Sequence, residues 1–201
     1  MIQAIFFDYH GVLDKRSIKL VYQILAATET ARVRQFSDAL SLRNYYFSLE
    51  IEYLAGDITP AEFWGTFIAD GFSQTAVELA KKSLLTIELN QELWEIIPKL
   101  KYQYFLGIIS DSGSDKTQLI QESLDLQAIF DGWYFSSDRN LVKQAGLAFY
   151  YLPLQENNFQ PADCLLVDDS PSNISQAKKV GYKTILYQDF CNREMRSINL
   201  L

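Results

Sequence analysis

Short apolar runs that stop abruptly at a reactive side chain recur along this chain, and they constrain its fold more than any other feature. Gln3 to Phe7 stops at Asp8, Tyr104 to Ile109 stops at Ser110, and Cys164 to Val167 stops at the pair Asp168 and Asp169. Trp133 to Phe135 and Thr184 to Tyr187 are two further runs of the same kind. Each has the length of a strand and little polar alternation, as expected of strands buried on both faces. Between the later runs, apolar residues keep helical spacing: Leu93, Ile96, Ile97, Leu100; then Leu119, Ile120, Leu124; then Leu147, Tyr150, Tyr151, Leu154. Pro153 falls inside the last pattern and is expected to kink it or to begin a new turn. Ser170 followed by Pro171 reads as a helix start, a hydroxyl cap and then proline at the first helical position. Strands alternating with helices predict an α/β fold, a parallel sheet covered on both faces in three layers.

From about Ser17 to Asn90 the rhythm changes. Leu20, Ile24, Val33, Phe36 and Leu40, then Leu49, Tyr53, Phe63 and Phe67, recur at helical spacing with no convincing strand between them. Gly56-Asp57 marks a turn, and Thr59-Pro60-Ala61-Glu62 is a capping box. The block is expected to be an all-helical insertion after the first strand. That leaves a core made of residues 1 to about 16 and about 91 to 201. The insertion's aromatics, among them Tyr45, Tyr46, Phe47, Tyr53 and Trp64, are expected mostly to pack its own core, with one or two facing a ligand.

The balance of 48% hydrophobic and 21% charged residues is that of a folded soluble protein. A net charge of −7 leaves no basic surplus to offset phosphates, which argues against nucleic acid or an anionic membrane as partner. It leaves room for one small phosphorylated ligand, which needs only local positive charge. Cys164 reads as a buried strand residue and Cys191 is the only other cysteine, so a disulfide framework is not expected. No basic-then-apolar leader opens the sequence and no apolar run approaches ~18 residues, which points to a cytoplasmic protein.

Taken singly, the reactive positions have two readings each. Asp8, at the end of a strand, suits a nucleophilic carboxylate, or an acid that caps the following turn. Ser110 suits a phosphoryl-oxygen donor, or a helix cap. Lys143, in a loop before a helix, suits an ammonium aimed into an anionic site; otherwise it is a solvated charge, with Arg139 nearby as a rival. Adjacent acids at Asp168 and Asp169 repel unless a cation or donors offset them, which suits Mg²⁺; they would also favour the dipole of the next helix.

In this order the motifs resemble the haloacid dehalogenase-like superfamily. Phe7-Asp8-Tyr9-His10-Gly11-Val12-Leu13 is similar to its first motif and Ile109-Ser110-Asp111 to its second. Lys143 stands for the third, and Val167-Asp168-Asp169-Ser170-Pro171-Ser172-Asn173 for the fourth. The helical block, with Gly56-Asp57-Ile58-Thr59-Pro60-Ala61-Glu62-Phe63-Trp64, resembles the cap that one branch inserts after the first strand. The resemblance implies a Rossmann-like core and Mg²⁺-dependent phosphatase chemistry on a small phosphorylated metabolite. It implies Asp8 as nucleophile, with Ser110, Asp111 and Lys143 at the phosphoryl group. Asp8, Asp168, Asp169 and the backbone carbonyl of His10 would form the metal site.

Two positions depart from that pattern. His10, the only histidine, stands where family phosphatases usually place a second Asp that protonates the leaving oxygen and activates water. Either His10 does this proton work, or the protein is impaired and serves to bind a phosphorylated ligand. The third outcome is a metal-independent 2-haloacid dehalogenase, which attacks carbon and needs no such acid; the acidic pair argues against it. Lys143 is followed by Gln144-Ala145-Gly146, where relatives often carry a proline and an acid.

Overall fold

The computed structural model describes residues 1–28, 36 and 38–187. Val33 of the expected helical pattern and Cys191 lie outside the described residues. Five parallel strands form one sheet in the order β3-β2-β1-β4-β5. They are β1 (Ala4–Phe7), β2 (Phe105–Ser110), β3 (Gly132–Phe135), β4 (Cys164–Asp168) and β5 (Lys183–Leu186). All five apolar runs are therefore strands, with ends shifted by a residue.

Alternation of side chains along the strands splits the core in two. Ile5, Phe7, Leu106 and Ile108 point to one face, where Leu93, Ile97 and Leu100 of α6 (Gln91–Leu100) and Ile120 of α7 (Ser114–Ser123) cover them. Ala4, Phe6, Ile109 and Leu166 point to the other. There they meet Phe149, Tyr150 and Leu154 of α10 (Ala148–Asn157) and Ala177 and Val180 of α11 (Pro171–Val180). Short helices α8 (Leu126–Ile129) and α9 (Ser136–Arg139) flank β3. This is the three-layer, Rossmann-like α/β arrangement. The chain runs from β1 out through β2 to β3 and then returns to lay β4 on the other side of β1. Such a reversal opens a crevice at the carboxyl end of β1, the usual ligand site of open α/β sheets.

Among the described residues between β1 and α6 there are five helices: α1 (Lys19–Thr28), α2 (Ala39–Tyr45), α3 (Phe47–Ala55), α4 (Pro60–Ala69) and α5 (Gln74–Leu84). They enclose a core of their own, built on Val21, Leu25, Leu42, Tyr53, Phe63 and Phe67. The capping box forms as expected, Thr59 Oγ1 accepting from the Glu62 amide at 3.2 Å while Glu62 accepts from the Thr59 amide at 2.8 Å. Leu40, assigned to the apolar stripe, is 63% exposed instead.

Two helix expectations need correction. Of the two outcomes expected at Pro153, a new turn is not the one found, since helix α10 continues through it. Proline costs it one backbone donor, and burial of Phe149, Tyr150 and Leu154 around it outweighs that loss. Ser170 does precede α11, but its hydroxyl makes no cap bond; it lies 2.8 Å from Ser172 Oγ.

Candidate active site

Strand register assembles the site. Phe7 pairs with Ile108 of β2 and with Val167 of β4, so Asp8 and Asp168 emerge side by side at the strands' carboxyl ends. The Asp8 amide donates to the Val167 carbonyl at 2.8 Å, which fixes that alignment. On the other side of β1, Ser110 donates its hydroxyl to Asp8 Oδ1 at 2.6 Å. The helix-cap reading of Ser110 is thereby set aside. The same oxygen accepts from the Tyr9 amide at 2.7 Å.

Lys143 supplies the cation. It is fully buried, and its ammonium lies 3.0 Å from Asp8 Oδ2 and 2.7 Å from Asp168 Oδ2. Its backbone amide donates to Asp111 Oδ1 at 2.9 Å, so Asp111 positions the loop that carries the lysine. Burial alone would lower the Lys143 pKa, but Asp168, Asp8 and Asp111 together outweigh it and keep the ammonium charged. Arg139, the rival cation, is elsewhere: it pairs with Glu156 at 3.1 Å and stacks over Tyr134.

Asp8, Asp168 and Asp169 each offer an oxygen within 4.8 Å of the others. Asp168 is wholly buried and accepts from the Ser170 amide and Asn173 as well as Lys143. Asp169 is more open and meets Lys19 at 3.1 Å. Gly11 makes room for it. Its φ of +82° suits glycine, and a Cβ there would stand 2.7 Å from Asp169 Oδ2. An all-oxygen donor set with a surplus of negative charge fits a hard divalent cation such as Mg²⁺. The crowding also shows electrostatically. Burial pushes the Asp8 carboxyl up to about 8, with Lys143 opposing and Asp168 and Asp169 adding to the rise. Burial raises Asp111 to about 6, against the pull of Lys143.

A cavity of about 260 Å³ opens over these groups. Asp8, His10, Asp111, Asp169 and Asn173 line its floor, and the helical block contributes Ile18, Lys19, Arg43, Asn44, Phe47, Glu50 and Tyr53. Of the aromatics singled out in the sequence, Phe47 and Tyr53 face it, while Tyr46 and Trp64 pack inside the block and Tyr45 is exposed.

His10 faces the cavity with its ring edge-on to Tyr9, and its Nδ1 is buried without a hydrogen-bond partner. Burial and the Lys116 ammonium, with a smaller push from Lys143, hold its pKa down to about 3, against an opposing effect of the Arg16 backbone. The imidazole is therefore neutral at ordinary pH. It is not among the groups that could share an ion with the three aspartates.

A model of the haloacid dehalogenase-like hydrolases matches residues 20–187. The chain belongs to this hydrolase family. The match begins after Asp8, so the place of that carboxylate in the site rests on the geometry above. No curated protein matches the haloacid dehalogenase-like chain in sequence. Solved structures share its fold. A family enzyme from Bacteroides thetaiotaomicron, bt-2542, superposes with a TM-score of 0.76 at 16% identity, over 96% of this chain and 98% of that one. A predicted family hydrolase from Porphyromonas gingivalis gives 0.74 at 20% identity, over 98% of both chains. L-2-haloacid dehalogenase from Xanthobacter autotrophicus gives 0.59 at 18% identity, over 98% of this chain and 83% of that one. The Bacteroides enzyme has also been solved with magnesium and inorganic phosphate. Among the described residues of this family member, no helix is long and apolar enough to cross a membrane.

Sequence reasoning passed over two buried ion pairs that line or support the cavity. Lys116 meets Asp14 at 2.9 Å, both almost wholly buried, and Arg43 meets Glu50. One signal was present for the first: Lys116 shares the apolar face of α7 with Ile120, where a lysine needs a partner.

Proposed function

We propose that this chain hydrolyses a small phosphate monoester with Mg²⁺, through a phosphoryl group carried transiently on Asp8. The observation that supports this most is the cluster of Asp8, Asp168 and Asp169 joined by Lys143 at the switch point of the sheet. When bound, the cation would offset the charge of the phosphoryl oxygens and let an anion approach a carboxylate.

Asp8 is held for attack by the Tyr9 amide, Ser110 and Lys143. In the first step an Asp8 oxygen–phosphorus bond forms and the phosphorus–oxygen bond to the alcohol breaks, the alcohol taking a proton from solvent. In the second, water attacks phosphorus and gives a proton back to solvent, the bond from phosphorus to Asp8 breaks, and inorganic phosphate departs with the Asp8 carboxylate restored. Lys143 neutralises Asp8 and the incoming phosphoryl group together, and Ser110 keeps the carboxylate oriented. Asp168 anchors Lys143, and the metal would be held among Asp8, Asp168, Asp169 and the backbone carbonyl of His10. Neutral His10 makes a weak acid for the leaving oxygen.

The test is hydrolysis of p-nitrophenyl phosphate with Mg²⁺ and with chelator. Turnover abolished by EDTA and by Asp8→Asn supports the reading. Halide release from a 2-haloacid without metal would replace it with dehalogenation. Tight phosphate binding with no turnover across sugar, nucleotide and organic-acid phosphates would leave a binding protein.

A further inference from the structure

Above the floor of the cavity sits a charge pair that the chemistry just described does not use. Arg43 on α2 gives Nε to both Glu50 oxygens, at 2.9 and 3.2 Å, and Nη2 to Oε1 at 2.5 Å. Glu50, on α3, is wholly buried, and the Arg43 side chain is 20% exposed. Both line the cavity with Asn44, Phe47 and Tyr53. Replacing such a buried pair by apolar side chains commonly leaves stability unchanged or raised, so the fold does not explain its presence. Its field reaches the floor: the Asp169 charge acts on Arg43, and Glu50 acts on Asp111.

The pair's charge sums to zero. A leaving group bearing a carboxylate would find Arg43 already neutralised by the buried Glu50 and would meet the repulsive field of that carboxylate. Lys116 offers it nothing, being bound to Asp14 and the Thr86 carbonyl, each at 2.9 Å. Lys19 lies at the rim with half its side chain in solvent, where its charge is screened. Hydroxyl groups face no such conflict. A guanidinium has five N–H donors and a carboxylate about four acceptor positions. Arg43, the exposed member of the fork, thus keeps N–H donors beyond its contacts with the buried Glu50, and Asn44 adds a donor and an acceptor. Phe47 and Tyr53 supply apolar surface for C–H groups. A volume of about 260 Å³ lies just below the range of about 300–1,000 Å³ that holds drug-sized ligands, which leaves little room for a nucleotide.

We propose that the Arg43–Glu50 fork determines specificity, selecting phosphate monoesters whose leaving group is small, uncharged and rich in hydroxyls over those carrying a carboxylate. The proposal rests on the phosphatase reading above, and the experiment separates the two. The wild-type protein with Mg²⁺ is assayed on p-nitrophenyl phosphate, then on glycerol phosphate and a hexose phosphate against 2-phosphoglycolate and 3-phosphoglycerate. The expected kcat/KM for the polyol and sugar esters exceeds that for the acids by at least about 10-fold. In Glu50→Gln, with Arg43 no longer neutralised, KM for the two acids is expected to fall by about 10-fold with kcat changed less, while KM for the polyol esters rises. Turnover of the aryl ester with acids equal to or better than polyols in the wild type overturns the proposal alone. So does an unchanged preference in folded Glu50→Gln. Absence of aryl ester turnover overturns the phosphatase reading and this proposal with it. Should Glu50→Gln fail to fold, the wild-type panel decides.

Discussion

The imidazole of His10 stands two residues after the carboxylate that would carry the phosphoryl group, in surroundings that keep it neutral. Burial and Lys116 disfavour its charged form, and its Nδ1 has no partner to hold a proton in place. A general acid contributes typically ~10²–10⁴-fold. We expect His10→Asp to raise kcat/KM by about 100-fold on alkyl phosphates, whose leaving oxygen needs a proton. The gain on p-nitrophenyl phosphate, whose leaving group departs as an anion, should be much smaller. A rate series over leaving groups of graded acidity measures this, and a loss on alkyl esters would show that His10 is used as it stands. Asp8 carries a second prediction. Its folded pKa of about 8 lies above the ordinary value of 3.8, so metal-free folded protein holds a proton that the unfolded chain has lost between about pH 4 and 8. That contribution to stability is complete below pH 4 and is lost as pH rises through 8. Mg²⁺ must displace the same proton, so its affinity should increase with pH across that window. Calorimetry in buffers of different ionisation enthalpy should count nearly one proton released per ion at pH 7. Affinity independent of pH with no proton release would overturn this.

At the scale of elements, the strands were legible because each is a continuous apolar run whose end is fixed by a polar residue. Asp8, Ser110 and the Asp168–Asp169 pair fall at the carboxyl ends of β1, β2 and β4, and parallel register brings them together. The helices of the insertion were legible as a block from spacing and capping, but not the directions of their side chains. Nothing in the pattern distinguished Leu40, which is exposed, from Leu42, which is buried. Pairs distant in sequence were invisible for the same reason, since each partner alone reads as a surface charge. Asp14 and Lys116 show what such a pair does. Asp14 Oδ1 accepts from the amides of Arg16 and Glu88, each at 3.0 Å, one on the segment leaving the sheet for the helices and one on the segment returning. Lys116 of α7 neutralises that acid from below at 2.9 Å. Breaking a buried pair from one side typically costs ~3–5 kcal/mol. Lys116→Met should therefore lower unfolding free energy by about 3 kcal/mol in urea titration, and Lys116→Met with Asp14→Asn should recover part of it. Loss under 1 kcal/mol would show that the backbone donors alone satisfy Asp14.

For the molecule as a whole, the question is how the inserted helices ride on the sheet. One side is fastened. Tyr53 donates its hydroxyl to Asp115 at 2.5 Å and Trp64 its indole N–H to the same acid at 3.4 Å. Tyr53 lies over Gly113, where any Cβ would fall 2.0 Å from its ring. Nearby, Ser136 donates to the Leu54 carbonyl at 2.6 Å and Asn140 to Asp57 at 2.7 Å. The opposite rim is held by Lys19 on Asp169 at 3.1 Å, a contact half in solvent and shared with the metal-binding acid. Helices α3 and α4 should then act as a fixed wall while the α1 side yields when substrate and metal enter, a gating role common in enclosed active sites. Asp115→Ala removes the acceptor for two donors of the inserted helices; Asp115 does not itself line the cavity, and of the two donors only Tyr53 does. A hydrogen bond to a charged group contributes about 1.5–3 kcal/mol, so a loss near 2 kcal/mol corresponds to roughly 30-fold faster local opening. Hydrogen exchange should accelerate by about that factor at α3 and α4 amides, with β1 and β4 unchanged and KM raised more than kcat is lowered. Equal acceleration across the sheet would mean that the fastening belongs to the global fold, and no acceleration at α3 would remove Asp115 from the account of how the helices are held.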